Sequence, residues 1–485
     1  MQKDHFYYLK PLINRKYICR FLILSIMFYL GGCKKFIEVD PPNTGIVSTS
    51  VYESDASASA VLTGIYSRLV ENPQGIVSGN YSIGYLCGLS ADELTNYSAD
   101  DNKIEFYTNA LTTSRFNYFW NDIYQQIYVA NAAIEGIENS KSINSLLKEQ
   151  LLGEAYFARS FLYFYGVNLF GDIPLLLSSD YRSNNVAQRS SGAIVYNQIV
   201  NDLNKAKTLL TDAYRTPSNQ VTNDRVRPNR MTAAALLARV YLFQQKWKDA
   251  EEQANSIISA SDLYQLSTNL ENVFLKETRE AIWQMQSVYP GANTFDGNFY
   301  VLLSPPGSGQ YEVSLSSQLL GEFEPSDKRL KNWIGSFTAD SVTYYYYPNK
   351  YKAYAIDESV PVTEYTVVFR LAEQYLIRAE ARAQQGNVQG GIDDLNVIRS
   401  RAGLTNSTAG TKEQLLNAIY HERQVELFTE WGHRWLDLKR TGLIDKVMPK
   451  ATEQKGGTWN TNKQLFPIPL VELQRNSHLT QNNGY

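Results

Sequence analysis

Two pairs of neighbouring carboxylates are the residues of this sequence best suited to chemistry: Asp92-Glu93 and Asp100-Asp101. Two carboxyl groups can cleave a glycosidic bond when they lie about 5–10 Å apart and one of them has a raised pKa. The sequence establishes neither condition, and acids in a polar loop are more often simply hydrated. We therefore predict that these acids are not catalytic, and keep glycoside hydrolysis as an alternative.

No other catalytic or metal-binding motif is complete. His421-Glu422 begins like the HExxH helix of zinc proteases, but Val425 stands where that motif has its second histidine. The glycines between Gly75 and Gly88 lack the lysine of a phosphate-binding loop. The net charge of −3, without a basic block, argues against nucleic-acid binding. We predict a protein that is not an enzyme and has no metal or cofactor.

Two helical hairpins are the elements expected to form the scaffold. Residues 370–404 place apolar residues on one face of each of two helices, which are separated by a turn at Gly386. Residues 229–258 repeat this arrangement, and small residues such as Ala379 and Gly391 would let paired helices approach closely. The pattern is typical of tetratricopeptide-type hairpins, which must stack to bury their apolar faces. Two generic helical hairpins remain an alternative.

The whole pattern predicts a mainly α fold in a single domain over residues 51–485. Two segments lose helical periodicity, at about 71–110 and 262–368, and we call them the first and second irregular segments. Pro467 and Pro469 are expected to exclude a helix near the C-terminus. Short strands are predicted in the second irregular segment, at residues 281–286, 342–347 and 365–369.

The first 32 residues have the features of a secretion signal. Basic residues precede the apolar stretch 21–30, which is too short to span a bilayer. The LGGC sequence ending at Cys33 resembles the lipobox of bacterial lipoproteins, which implies cleavage before Cys33 and its acylation. Residues 33–50 would then be a lipidated tether. Cys87, left without a cysteine partner, is predicted to be a buried small hydrophobe.

Several motifs occur in an order that resembles the SusD/RagB family of outer-membrane lipoproteins. They are the lipobox, the stretch from Arg159 that reads RSFLYFYGVNLFGDIPL, the 370–404 hairpin, the stretch from His421, and the ending from Leu465. The resemblance covers nearly all of residues 33–485. It implies a tetratricopeptide-like scaffold and a chain that is lipid-anchored to the outer membrane and faces the cell exterior.

The resemblance also implies a function. Members of this family bind a glycan, typically an oligosaccharide, without cleaving it, and act as a lid over a SusC-type TonB-dependent transporter. A peptide-binding lipoprotein or a tetratricopeptide adaptor of the same transport system remains an alternative. The shared motif residues are interpreted as scaffold residues that pack or form ion pairs: Glu422, Arg423, Glu426, Trp431, Trp435 and Asp437.

Loop position and residue type suggest where a sugar would bind. The sequence has 34 tyrosines, and tyrosine combines a flat apolar face with a hydroxyl group. Sugar C–H faces can stack on such rings, while sugar hydroxyls pair with polar side chains. For each single residue, ordinary packing is the alternative. The predicted ligand-binding residues, all in the two irregular segments, are Asp92, Asn96, Tyr97, Tyr289, Phe295, Tyr300, Tyr311 and Trp333.

Overall fold

Helices joined by short strands and loops make up most of the computed structural model. It describes residues 50–71, 75–77, 79–115 and 118–485, without the side chains of Ser50 and Tyr118. Residues 52–485 form one compact unit. The α-helices of the described residues are α1 (Asp55–Glu71), α2 (Ile83–Ser90), α3 (Asp101–Tyr107), α4 (Tyr118–Asn139), α5 (Ser145–Phe170), α6 (Tyr181–Asn184), α7 (Gly192–Leu209), α8 (Arg230–Phe243), α9 (Trp247–Ile258), α10 (Phe295–Tyr300), α11 (Ser317–Glu322), α12 (Lys328–Asn332), α13 (Leu371–Gln384), α14 (Val388–Arg401), α15 (Lys412–Glu426), α16 (His433–Arg440), α17 (Ile444–Gln454) and α18 (Leu470–Arg475).

The strands are short and pair in twos, always antiparallel, as β1 with β7, β2 with β3, β4 with β5, β6 with β10, and β8 with β9. Their bounds are β1 (Leu94–Asn96), β2 (Ile173–Pro174), β3 (Arg189–Ser190), β4 (Tyr214–Arg215), β5 (Val221–Thr222), β6 (Ala281–Met285), β7 (Val313–Leu315), β8 (Ile334–Phe337), β9 (Tyr345–Pro348) and β10 (Thr366–Arg370). Short 3₁₀ helices lie at Ser50–Glu53, Leu270–Asn272 and Thr461–Gln464. The mainly α prediction with a few strands is confirmed.

The two predicted hairpins are α8–α9 and α13–α14, and they pack against each other. Ala238 and Ala250 of the first share a buried cluster with Ile377 and Ala381 of the second. Within the second hairpin the helices are so close that a Cβ added at Gly391 would lie 2.9 Å from the Ala379 carbonyl oxygen. The small residues that the sequence placed in both hairpins therefore do allow close helix packing.

A buried network of ion pairs joins the second hairpin to α12, α15 and β10. Glu426 accepts hydrogen bonds from the guanidinium groups of Arg329, Arg370 and Arg401. Arg329 also donates to Glu422 at 2.7 Å. Because all five side chains are buried, each charge depends on its partners. The network supports the interpretation of these motif residues as scaffold.

The first irregular segment is more regular than the sequence suggested. It contains α2, β1 and α3, and every residue of α2 is buried. A helix that is buried on all sides carries no alternation between apolar and polar faces, so the periodicity test misses it. Cys87 lies within α2 and is a buried free thiol, as predicted.

The C-terminal segment corrects another expectation. A helix, α18, begins directly after Pro469, although the prolines were expected to exclude one. Proline interrupts a helix interior but is well tolerated at its first residues, where the backbone N–H has no helical partner anyway. Upstream of this helix, Phe466 and Ile468 are fully buried and hold the segment against the body.

The predicted signal peptide (1–32), Cys33 with its predicted lipid, and most of the predicted tether (33–50) lie outside the described residues. Among the residues that are described, no helix is both long enough and apolar enough to cross a membrane.

Candidate functional site

The two irregular segments meet in the small sheet formed by β1 and β7. Leu94 pairs with Leu315, and Asn96 pairs with Val313. The pairing continues one residue further, where the backbone N–H of Tyr97 donates to the Glu312 carbonyl oxygen at 2.7 Å. This register places Tyr97, from the first irregular segment, beside Glu312 of the second.

A group of exposed and half-buried tyrosines lies beside this sheet. The ring of Tyr97, which is 39% exposed, meets the ring of Tyr345 edge to face, with centroids 5.8 Å apart. Tyr347 shares the side of β9 on which Tyr345 lies, because alternate residues of a strand face the same way. Burial and the nearby Tyr354 hydroxyl raise the pKa of Tyr347. We call Tyr97, Tyr345, Tyr347 and Tyr354 the tyrosine face.

Two amide side chains border the tyrosine face. The Nδ2 of Asn298 donates to the Tyr354 carbonyl oxygen at 3.0 Å, and the Nε2 of Gln310 donates to the Asn298 carbonyl oxygen at 3.2 Å. Glu312, which directly precedes β7, pairs with Lys103, which compensates its charge. The surface therefore combines flat aromatic rings with neutral polar groups, which suits a neutral ligand that carries hydroxyl groups.

Five of the eight predicted ligand-binding residues fall into two groups. Asn96, Tyr97 and Tyr311 lie together at the β1–β7 sheet, where Tyr311 directly precedes the residue paired with Tyr97. Tyr289 and Phe295 form a separate aromatic pair, edge to face with centroids 5.6 Å apart. All five are at least partly exposed, so a ligand can reach them.

The other three predicted ligand-binding residues are buried. Trp333 is fully buried, with its Nε1 donating to the Leu270 carbonyl oxygen at 2.9 Å. Tyr300 is buried and stacks on Tyr85. Asp92 is buried and accepts two hydrogen bonds from Arg434, at 2.7 and 2.6 Å. These three side chains are not accessible to a ligand in this structure, because they pack inside the irregular segments.

The carboxylates considered for hydrolysis are engaged within the protein. Burial raises the pKa of Glu93 to about 8, but the side chain is only 1% exposed, so a substrate cannot reach it. Asp100 caps the N-terminus of α3, and although burial opposes it, hydrogen bonds from the Tyr81 hydroxyl and from Asn102 lower its pKa. A hydrolytic acid needs the opposite shift together with access to substrate. Within the described residues, no group of three or more His, Cys, Asp or Glu side chains is arranged to hold a metal ion.

Sequence reasoning missed three members of the tyrosine face: Tyr345, Tyr347 and Tyr354. The run of four tyrosines at 344–347 drew attention, but its strand register was unknown. Tyr346, one residue away from both Tyr345 and Tyr347, lies on the opposite side of β9. Only the pairing of β9 with β8 decides which tyrosines face Tyr97.

Two family models together match most of this chain. A model described as "SusD family" matches residues 299–485, and a model described as "Starch-binding associating with outer membrane" matches residues 35–242. The chain belongs to the SusD family. The family resemblance predicted from the sequence is therefore confirmed.

Similar proteins of the SusD family cover between two thirds and nearly all of this chain. The SusD-like protein P25 of Formosa agariphila is 25% identical, covering 95% of this chain and 98% of its own. The starch-binding protein SusD of Bacteroides thetaiotaomicron is 24% identical, covering 68% of this chain and 72% of its own. The solved structure of a laminarin-binding SusD-like protein superposes with a TM-score of 0.75 at 23% identity, covering 90% of this chain and 100% of its own. The SusD-like fold is thus confirmed.

Proposed function

We propose that this SusD-family protein binds an oligosaccharide at the tyrosine face and does not cleave it. The observation that carries this proposal is the edge-to-face contact of Tyr97 with Tyr345 at an exposed surface. Two rings in this arrangement present an aromatic step on which the C–H faces of successive sugar units can lie. The bordering amides of Asn298 and Gln310 can pair with sugar hydroxyls.

The names of similar proteins support a neutral sugar as the ligand. One relative is named as starch-binding, and one protein of known structure as laminarin-binding. Starch and laminarin are both uncharged glucose polymers. The tyrosine face has the matching character, since Glu312, the acid beside Tyr311, is paired with Lys103.

The same proposal includes a place in the cell and a partner. The chain would be anchored to the outer membrane by lipid on Cys33, face the exterior, and deliver its ligand to a SusC-type TonB-dependent transporter. The family model whose description names the outer membrane supports this location. Cys33→Ser should release the chain from membranes, and a β-barrel of transporter size should co-purify with the anchored chain. Membrane binding unchanged by Cys33→Ser would contradict the anchor.

Calorimetric titration of the full-length chain with maltohexaose and laminarihexaose tests the binding site. Tyr345→Ala should weaken binding at least tenfold, because it removes half of the aromatic step. Tyr346→Ala is the matched control, since Tyr346 is 41% exposed on the opposite side of the same strand. Equal losses in both variants, or binding of peptides in place of sugars, would overturn the proposal.

A further inference from the structure

A groove separate from the tyrosine face runs between α1, α4 and the C-terminal helix α18. Its volume is about 1020 Å³, which matches the size of pockets that enclose a ligand of several rings. Val61 and Gly64 line it from α1, and Glu472 and Arg475 line it from α18. None of the eight predicted ligand-binding residues lines this groove.

Gln126 is the residue that marks this groove as a binding site. Its side chain is 96% buried, since only 4% of it is exposed, and it lines the groove. Within the described structure, its amide group forms no hydrogen bond. The amide atoms of Gln126 are not among the fully buried side-chain atoms that lack a partner within the described residues, so they keep contact with solvent. The remaining exposure of Gln126 faces the groove, so a ligand there would supply the missing hydrogen bonds.

Three more amide side chains line the same groove as Gln126. Asn121 and Gln125 lie on α4, and Asn185 lines the groove beyond the end of α6. In the described part of the chain these three side chains also make no hydrogen bond to protein groups. Each amide can both donate and accept, which is the capacity required by a hydroxyl group. Four such groups in one groove favour a ligand rich in hydroxyls.

The groove also offers aromatic surface and little net charge. Trp120, Tyr124 and Tyr128 recur every fourth residue along α4 and so line one side of the helix. Tyr128 is 51% exposed. At the C-terminal end, the charges of Glu472 and Arg475 compensate each other in an ion pair of 2.9 Å. Arg68 of α1 also lines the groove, and it pairs with Glu71 at 3.2 Å. Aromatic rings beside neutral amides repeat the chemistry of the tyrosine face.

We propose that this groove is a second binding site for a neutral oligosaccharide, independent of the tyrosine face. The proposal rests on the proposed function, because it assigns the groove the same class of ligand. A peptide ligand is disfavoured, since peptide grooves rely on a continuous apolar wall or an open strand edge, whereas amide side chains interrupt the apolar lining of this groove. Two sites would let one chain hold a long glycan at separated points, and so raise its overall affinity.

Calorimetric titration of the full-length chain with maltohexaose and laminarihexaose tests the second site. The wild-type protein should bind two molecules, and Tyr345→Ala should bind one. Adding Asn121→Ala and Gln126→Leu to Tyr345→Ala should then weaken the remaining binding at least tenfold. Gln126→Leu should fold, because it replaces an unpartnered amide by an apolar group of similar size. Gln389→Leu, at an exposed glutamine of α14, is the matched control.

The outcomes separate this proposal from the proposed function. Binding of one molecule that Tyr345→Ala abolishes would overturn the second site and leave the tyrosine face intact. Two molecules bound equally by the wild type and by Asn121→Ala/Gln126→Leu would also overturn it. Heat from a mixture of tryptic casein peptides that Gln126→Leu removes would show a peptide groove instead. Binding of neither sugar would overturn both proposals.

Discussion

Arg239 and Glu373 join the two helical hairpins through a pair of parallel hydrogen bonds. The Nε and Nη2 of Arg239 on α8 donate to the two carboxylate oxygens of Glu373 on α13, each at 2.7 Å. Both side chains are only 1% exposed. A bidentate pair of this kind is directional as well as strong, so it sets how one hairpin sits on the other.

Breaking this pair should destabilise the protein strongly. Arg239→Met leaves the Glu373 carboxylate buried without its partner, which typically costs about 3–5 kcal/mol. The double variant Arg239→Met/Glu373→Leu should recover part of the loss, because no charge is left unpaired. Denaturant unfolding measures the difference, with Arg182→Ala of the exposed pair with Asp180 as a control that changes little. A double variant no more stable than the single one would contradict this account.

Glu93 should make stability depend on pH. Its burial, reinforced by the nearby Asp92, raises its pKa to about 8. In the unfolded chain a glutamate titrates near pH ~4.3. The folded protein therefore holds the proton more tightly, and this contribution to stability is lost as pH rises from about 5 through 8.

Glu93→Gln, which cannot ionise, should escape this loss. The difference in unfolding free energy between Glu93→Gln and wild type should grow with pH over this window, by at most about 1.4 kcal/mol per pH unit. Denaturant titrations at several pH values measure it. Parallel stability profiles for the two proteins would show that Glu93 does not titrate in this way.

Two glycine-to-alanine substitutions should have opposite effects. At Gly391 the new Cβ would meet the Ala379 carbonyl oxygen at 2.9 Å, so α13 and α14 must separate, and overpacking of this kind costs about 1–3 kcal/mol. At Gly64 in α1 a Cβ meets nothing within 4 Å, and alanine should stabilise the helix by about 0.5–1 kcal/mol. Thermal unfolding compares the two. A destabilised Gly64→Ala would contradict the helix-propensity argument.

Removing the hydroxyl group from two buried tyrosines should also have different effects on stability. The Tyr300 hydroxyl has no hydrogen-bond partner among the described residues, so Tyr300→Phe should leave stability unchanged or slightly raised. Tyr214 instead donates to the Ile282 carbonyl oxygen at 2.6 Å and contacts the Tyr264 hydroxyl at 2.8 Å. Tyr214→Phe should therefore cost about 1–3 kcal/mol. Sugar binding should survive Tyr300→Phe, and its loss would restore Tyr300 to the binding site.

The sequence alone determined the scaffold. Helical periodicity and paired small residues, such as Ala379 with Gly391, are properties of neighbouring residues, so both hairpins could be predicted without a structure. The same reasoning reached Tyr97, because its loop position and residue type are also local. It could not recognise α2, since a helix that is buried on every side has no polar face to reveal its period.

Only the tertiary structure decided which aromatic side chains a ligand can reach. Trp333 and Tyr97 look alike in sequence, as aromatic residues among turns, but one is fully buried and the other is 39% exposed. The pairing of β1 with β7 and of β8 with β9 brings Tyr97 to Tyr345. Burial and register depend on contacts between residues far apart in the chain, and local patterns carry no record of those contacts.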